Sequence, residues 1–170
     1  KHIKPIVFIA GIIFMSTIYN KIDITMLSAL STDEAVGYYS YAQRTVNIVL
    51  TMCSAVTAIF LPRLSYYYDN EKAVFYKLMD KGFQILCLGV VPLAVGLFLT
   101  ANQAVVLLYG DSFTPTGTTI KLMCPLILIK GFGDLLCYQL AYSSKNEYIL
   151  LPGSAIASII NVITNSILIP

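Results

Sequence analysis

Charged and amide side chains set inside runs of Leu, Ile and Val are the residues of this 170-residue chain that could do chemistry. Lys21, Asp23 and Arg44 fall within the first two long apolar runs. Asn20 and Asn47 each stand three residues from one of those charges, and Lys130 and Asp134 fall within the fourth run. An ionisable group at hydrocarbon depth is opposed by at least about 2.5–3.5 kcal/mol on insertion scales, so its default role is functional. The connection between the first two runs centres on Asp33; Asp23 precedes it by ten residues and Arg44 follows it by eleven. At about 1.5 Å of rise per residue, a tight helical hairpin brings both to nearly the same depth. Each helix then presents a charge and an amide on one face at matched height. Facing lipid, that pattern is very unfavourable; facing a water-filled cavity, it is tolerable.

Two readings compete for these charges. Asp23 and Arg44 form a neutral packing clamp, or they belong to a binding surface. Lys21 adds a second base and makes the local charge net positive, which suits an anion gripped through the bidentate fork of Arg44. Lys130 and Asp134, spaced i,i+4, read first as a pair closed along their own helix. The substrate-binding candidates are therefore Arg44, Lys21, Asp23, Asn20, Asn47, Lys130 and Asp134. Arg63, next to Pro62, reads as an interface anchor.

The elements that must position them are membrane helices. Hydrophobic residues make up 57% of the chain and charged residues 12%, with a mean hydropathy of +0.75. A soluble domain needs about twice that share of charge to coat its core. The net charge of +2 excludes a nucleic-acid binder driven by a basic surface. Four cysteines without a CxxC pair, and a single histidine, exclude a zinc site of usual spacing and a disulfide framework. Nothing in the sequence asks for a cofactor.

Five runs are long enough to cross a bilayer, at about residues 5–30, 36–61, 82–99, 120–141 and 148–169. They lack the alternation of a membrane barrel. The expected fold is an all-α integral membrane domain spanning residues 1–170, and the chain reads as a piece of a longer protein. Bases collect at Lys1 and Lys4, at Arg63, Lys72, Lys77 and Lys81, and at Lys145, while the alternate connections carry Asp33, Glu34 and Asp111. The positive-inside bias then puts the amino end and the connections 62–81 and 143–147 in the cytoplasm. An interfacial amphipathic helix is expected over about 71–81, leading into the third run, and a separate short surface helix over 102–109. Pro92 is expected to kink the third run. In the fifth, Ser154, Ser158, Asn161 and Asn165 share one face, as either a packing stripe or a cavity lining.

The stretches GYYSYAQR (Gly37–Arg44), LPRLS (Leu61–Ser65) and LLYGDSF (Leu107–Phe113) together resemble the multidrug/oligosaccharidyl-lipid/polysaccharide exporter superfamily. YNKID (Tyr19–Asp23) and INVITNSILIP (Ile160–Pro170) fit the same pattern, so the resemblance covers nearly the whole chain. Within it, the chain looks like the polysaccharide flippases that move undecaprenyl-diphosphate-linked sugars across bacterial membranes. That resemblance implies a multi-pass transporter of the bacterial cytoplasmic membrane, built as two bundles around a central cavity. Five spans here would form most of the second bundle, and the missing first bundle would be a partner in the same chain. It also implies that Arg44 meets the diphosphate of a polyprenyl-linked sugar and that Asn20, Lys21 and Asp23 line the same cavity. It assigns no role to Lys130.

Other functions are weighed against this one. A cation-coupled multidrug antiporter of the same fold would want a cavity carboxylate, which Asp134 could supply, and a more apolar lining. A membrane-embedded polyprenyl-dependent glycosyltransferase would want clustered carboxylates on a membrane-facing loop. The outer connections offer only Asp33, Glu34 and Asp111. A purely structural membrane subunit has no need of cations at matched depth.

Overall fold

The computed structural model describes the backbone of residues 3–168, and the side chains in that range except those of residues 3–5, 8, 9, 12, 15, 16, 18–20, 138, 147 and 168. Every regular element among the described residues is helical. In chain order these are α1 (Ile3–Leu30), α2 (Asp33–Ala58), α3 (Leu61–Asn70), α4 (Lys72–Tyr109), a 3₁₀ turn (Asp111–Phe113) and α5 (Pro115–Gly133). A π-helical segment (Asp134–Gln139), α6 (Leu140–Ser143), a second 3₁₀ turn (Glu147–Ile149) and α7 (Leu150–Leu168) complete the chain. Among the described residues, the stretches Asp33–Asn70, Lys72–Tyr109 and Leu150–Ile167 are long and apolar enough to cross a membrane. The chain is an all-α membrane protein.

Local chemistry sets the helix ends. The Ala35 N–H donates to Thr32 Oγ1 at 3.3 Å, and Asp33 and Glu34 occupy the first turn of α2, where acidic groups favour a helix N-terminus. Pro62 lies in the first turn of α3, where its missing N–H has no helical partner to lose. Gly110, at φ 88, closes α4 in a backbone region that side-chain-bearing residues avoid. Between Lys72 and Tyr109 the helix is unbroken. The stretch expected as an interfacial helix over 71–81, the third run and the expected surface helix over 102–109 are thus one element of 38 residues. Hydropathy falls at its two ends, but no turn residue interrupts it there, and the Thr100 hydroxyl bonds back to the Gly96 carbonyl at 2.8 Å. Pro92 lies inside this helix, which runs on through it. The fourth run is likewise composite: α5 passes into the π-helical segment and then α6.

The chain divides into two compact units, Tyr38–Ser144 and the pair of segments Lys1–Gly37 and Lys145–Pro170. In the larger unit, Ala42, Val46 and Cys53 of α2 pack with Leu86, Val90, Ala94, Ala101 and Val105 of α4. Ile120, Cys124 and Ile127 of α5 and Leu135 of the π-helical segment join the same core. The recurring steps of three, four and seven are the seam spacing of helices packed side by side. Glycines let α4 and the fourth run approach closely. A Cβ on Gly131 would lie 3.1 Å from Val90, and one on Gly82 would lie 3.4 Å from Leu135. In the smaller unit α1 packs along α7, and a Cβ on Gly11 would lie 3.2 Å from Leu151.

Candidate functional site

α2 carries two unlike faces. Ala42, Val46, Cys53 and Thr57 are buried, on the side that meets the core. At about 100° per residue, Ser40, Arg44, Asn47, Thr51 and Ser54 fall within a narrow arc on the opposite side. Arg44, Asn47, Thr51 and Ser54 are exposed, and Ser40 is half-buried. The Thr51 hydroxyl bonds to the Asn47 carbonyl at 2.8 Å, which satisfies its proton within the helix. Arg44 and Asn47 thus stand side by side on the polar face of an apolar helix, as their spacing predicts.

An aromatic cluster fixes the rotation of that helix. Tyr41 lies 4.6 Å from Tyr109 and 4.7 Å from Phe113 between ring centroids, and Tyr38 meets Phe113 edge-on at 6.2 Å. Tyr109 Oη lies 3.0 Å from Thr45 Oγ1, whose hydroxyl also reaches the Tyr41 carbonyl. Ring pairs of this geometry contribute about 0.5–1.5 kcal/mol each beyond area burial. GYYSYAQR and LLYGDSF therefore pack against each other, which gives the two motifs one physical role: they hold the amino half of α2 with Arg44 turned away from the core.

In the smaller unit, Lys21 is exposed on α1, and Asp23 is half-buried. Asp23 Oδ1 accepts a hydrogen bond from Asn165 Nδ2 at 2.7 Å, and the same amide nitrogen lies 3.3 Å from Asn161 Oδ1. The polar stripe of α7 thus meets the charge of α1 at its Asn161–Asn165 end. Towards the other end the stripe is satisfied internally, the Ser158 hydroxyl donating to the Ser154 carbonyl at 2.8 Å. Asn165 and Asn161 are site residues that the stripe signalled but to which no charged partner was assigned. The side chain of Asn20 lies outside the described residues.

In the larger unit, Lys130 is exposed in the last turn of α5, and Asp134, half-buried, opens the π-helical segment. The Thr57 hydroxyl of α2 is hydrogen-bonded to Asp134 Oδ2 and lies 3.0 Å from the Ser54 carbonyl. Thr57 is 1% exposed, so this contact is enclosed by the core. Spacing along one helix had suggested only Lys130 as the neighbour of Asp134; Thr57 carries no sequence signal, because its approach depends on helix packing. Among the described residues no three His, Cys, Asp or Glu side chains are grouped to hold a metal ion.

Residues 6–117, about two thirds of the chain, match the family model described as polysaccharide biosynthesis protein. That range contains Asn20, Lys21, Asp23, Arg44 and Asn47, and the motifs GYYSYAQR, LPRLS and LLYGDSF. Lys130, Asp134 and the α7 stripe lie beyond it. No curated protein and no solved structure matches the chain.

Proposed function

The chain belongs to the polysaccharide biosynthesis protein family, and from that premise we propose that it is part of a transporter, rather than an enzyme, that flips an undecaprenyl-diphosphate-linked oligosaccharide across the bacterial cytoplasmic membrane. The first helical bundle would come from the rest of the same chain, and transport would proceed by alternating access. The observation that carries this reading is the exposed polar face of α2, headed by Arg44, on a helix otherwise suited to lipid. A guanidinium satisfies two diphosphate oxygens at once, and Asn47 can add an amide donor one turn away. Lys21, with Asn20 and Asp23 in the same turn of α1, is retained as a lining candidate with no contact to the diphosphate assigned. Lys130 and Asp134 are retained as lining candidates with no contact to the diphosphate assigned.

The test is genetic and chemical. Removing the gene for the full-length protein is expected to leave lipid-linked oligosaccharide accumulating in the membrane and polymer missing from the cell surface. Restoring the gene should reverse both. Unchanged surface polymer in the deletion strain overturns the proposal.

The proposed topology places the amino end and the connections 62–81 and 143–147 in the cytoplasm, on the distribution of bases. Thr32, Asn70 and Ser112 are all exposed and suit labelling. In a full-length protein freed of its cysteines, single cysteines at Thr32 and Ser112 should react with an impermeant thiol reagent in intact cells. One at Asn70 should react only after lysis. The reverse pattern overturns the orientation.

A further inference from the structure

The buried face of the fourth run changes its spacing where the helix widens. Along α5 it passes through Ile120, Cys124, Ile127 and Gly131, at steps of four, three and four. It then continues through Leu135, Gln139 and Ser143, at steps of four only. An α-helix turns about 100° per residue, so each step of four drifts by about 40°. From Ile127 to Ser143 an unbroken α-helix would drift about 160°, and Ser143 would leave the buried face. The π-helical segment houses one surplus residue in its wider turn, which takes back about 100° of that drift.

Contacts on both sides hold the surplus residue in place. Before it, Asp134 is hydrogen-bonded to Thr57 of α2, and Leu135 packs over Gly82 of α4. After it, α6 packs against α3, and Ser143 of α6 and Leu64 of α3 are fully buried. The widened turn itself is incompletely satisfied. Gln139 is 6% exposed, and among the described residues its side-chain oxygen has no hydrogen-bond partner. A buried amide oxygen without a donor is unfavourable, and here it lies within an uncommon backbone geometry that concentrates at functional sites.

We propose that the fourth run is a two-register element. The π-helical turn closes to α-helical geometry, its surplus residue passes into the helix, and every residue after it moves one position onward, by about 1.5 Å and about 100°. Gln139 then stands where Leu140 stands now, at an exposed position where its amide oxygen is no longer stranded in the core. Ser143 moves to the half-buried position of Ser144, and Tyr142 to the position of Ser143. A tyrosine ring has no room where a serine is fully buried, so α3, packed against α6, gives way. The hydrogen bond between Thr57 and Asp134 precedes the surplus residue and remains as the fixed end. Discrete shifts of one helix past its neighbours are an established way for packed helices to switch between two states.

The experiment uses the purified full-length protein in detergent, freed of its cysteines, and N-ethylmaleimide as a small thiol reagent. Ser143→Cys, nearly isosteric, reports the register. It is expected to be alkylated severalfold faster than Cys124, kept as the sole cysteine in a second sample and 4% exposed on α5. Deleting Leu136, an exposed residue of the widened turn, removes the surplus residue while leaving the contacts on both sides in register. The Ser143→Cys rate should then fall to that of Cys124. Gln139→Leu keeps every residue but removes the stranded oxygen, and should slow alkylation of Ser143→Cys severalfold by favouring the π-helical register. Alkylation of Ser143→Cys no faster than that of Cys124 overturns the proposal. A rate that deletion of Leu136 leaves unchanged overturns it too, since that is fraying of the helix end. Unchanged alkylation in Gln139→Leu also overturns it, and decides the case alone where the deletion variant does not fold. None of these measurements uses transport, so a protein that exports no polymer leaves their outcome standing.

Discussion

Arg44→Lys in the full-length protein is expected to insert at the parent level and to lower polymer export by roughly tenfold to a hundredfold. A charge-assisted hydrogen bond contributes about 1.5–3 kcal/mol, and about 1.4 kcal/mol corresponds to a factor of ten. Lysine keeps the charge on the exposed face of α2 but meets phosphate oxygens as a point charge, without the planar fork. Insertion should survive because Arg44 is exposed and contributes nothing to the buried seam of Ala42, Val46 and Cys53. If Arg44 serves only to neutralise a carboxylate, the pattern differs. Arg44→Lys would then export normally, and neutralising Arg44 and Asp23 together would recover activity lost by neutralising either. Surface polymer measured alongside the amount of membrane-inserted protein separates the two outcomes. Normal export by a stably inserted Arg44→Ala ends the diphosphate reading altogether.

The orientation of Arg44 was legible because it rests on one helix. Buried positions 42, 46 and 53 and exposed positions 44, 47 and 51 follow from the helical period alone. The cross-helix hydrogen bonds of the acidic residues were not legible in the same way. Depth on the first hairpin singled out Arg44 as the neighbour of Asp23, and i,i+4 spacing singled out Lys130 for Asp134. Asp23 and Asp134 also make hydrogen bonds, to Asn165 and Thr57, that link residues 142 and 77 positions apart in sequence. They arise from α1 lying along α7 and α2 lying against the π-helical segment, and neither packing leaves a periodic trace in the chain. The π-helical turn itself has no signature of residue type. The continuity of α4 was obscured for a different reason. Hydropathy marks where a helix meets lipid, whereas backbone chemistry marks where it stops, and only Gly110 supplies a stop at that end. The motifs GYYSYAQR and LLYGDSF were visible as strings; that they are two halves of one aromatic contact emerges only from the fold.

Asn165→Leu is expected to destabilise the protein by about 1–3 kcal/mol, the usual penalty for leaving a partly buried acceptor without its donor. The amide of Asn165 is placed between two oxygens, 2.7 Å from Asp23 and 3.3 Å from Asn161. Removing it should therefore matter more than removing Asn161, whose oxygen accepts only the longer of the two contacts. Asp23→Asn keeps an acceptor for the Asn165 amide while discarding the charge, so it should be milder than Asp23→Leu. Combining Asp23→Leu with Asn165→Leu should cost less than the sum of the single changes, because the second substitution removes a group that the first has already stranded. The shortfall, about 0.5–3 kcal/mol for residues in direct contact, is the quantity to measure. Thermal unfolding of the full-length protein in detergent, followed for the parent, both single variants and the double variant, reads it directly. Strict additivity would show that α1 and α7 are held by their apolar packing around Gly11 and Leu151, with the Asp23–Asn165 hydrogen bond adding nothing of its own.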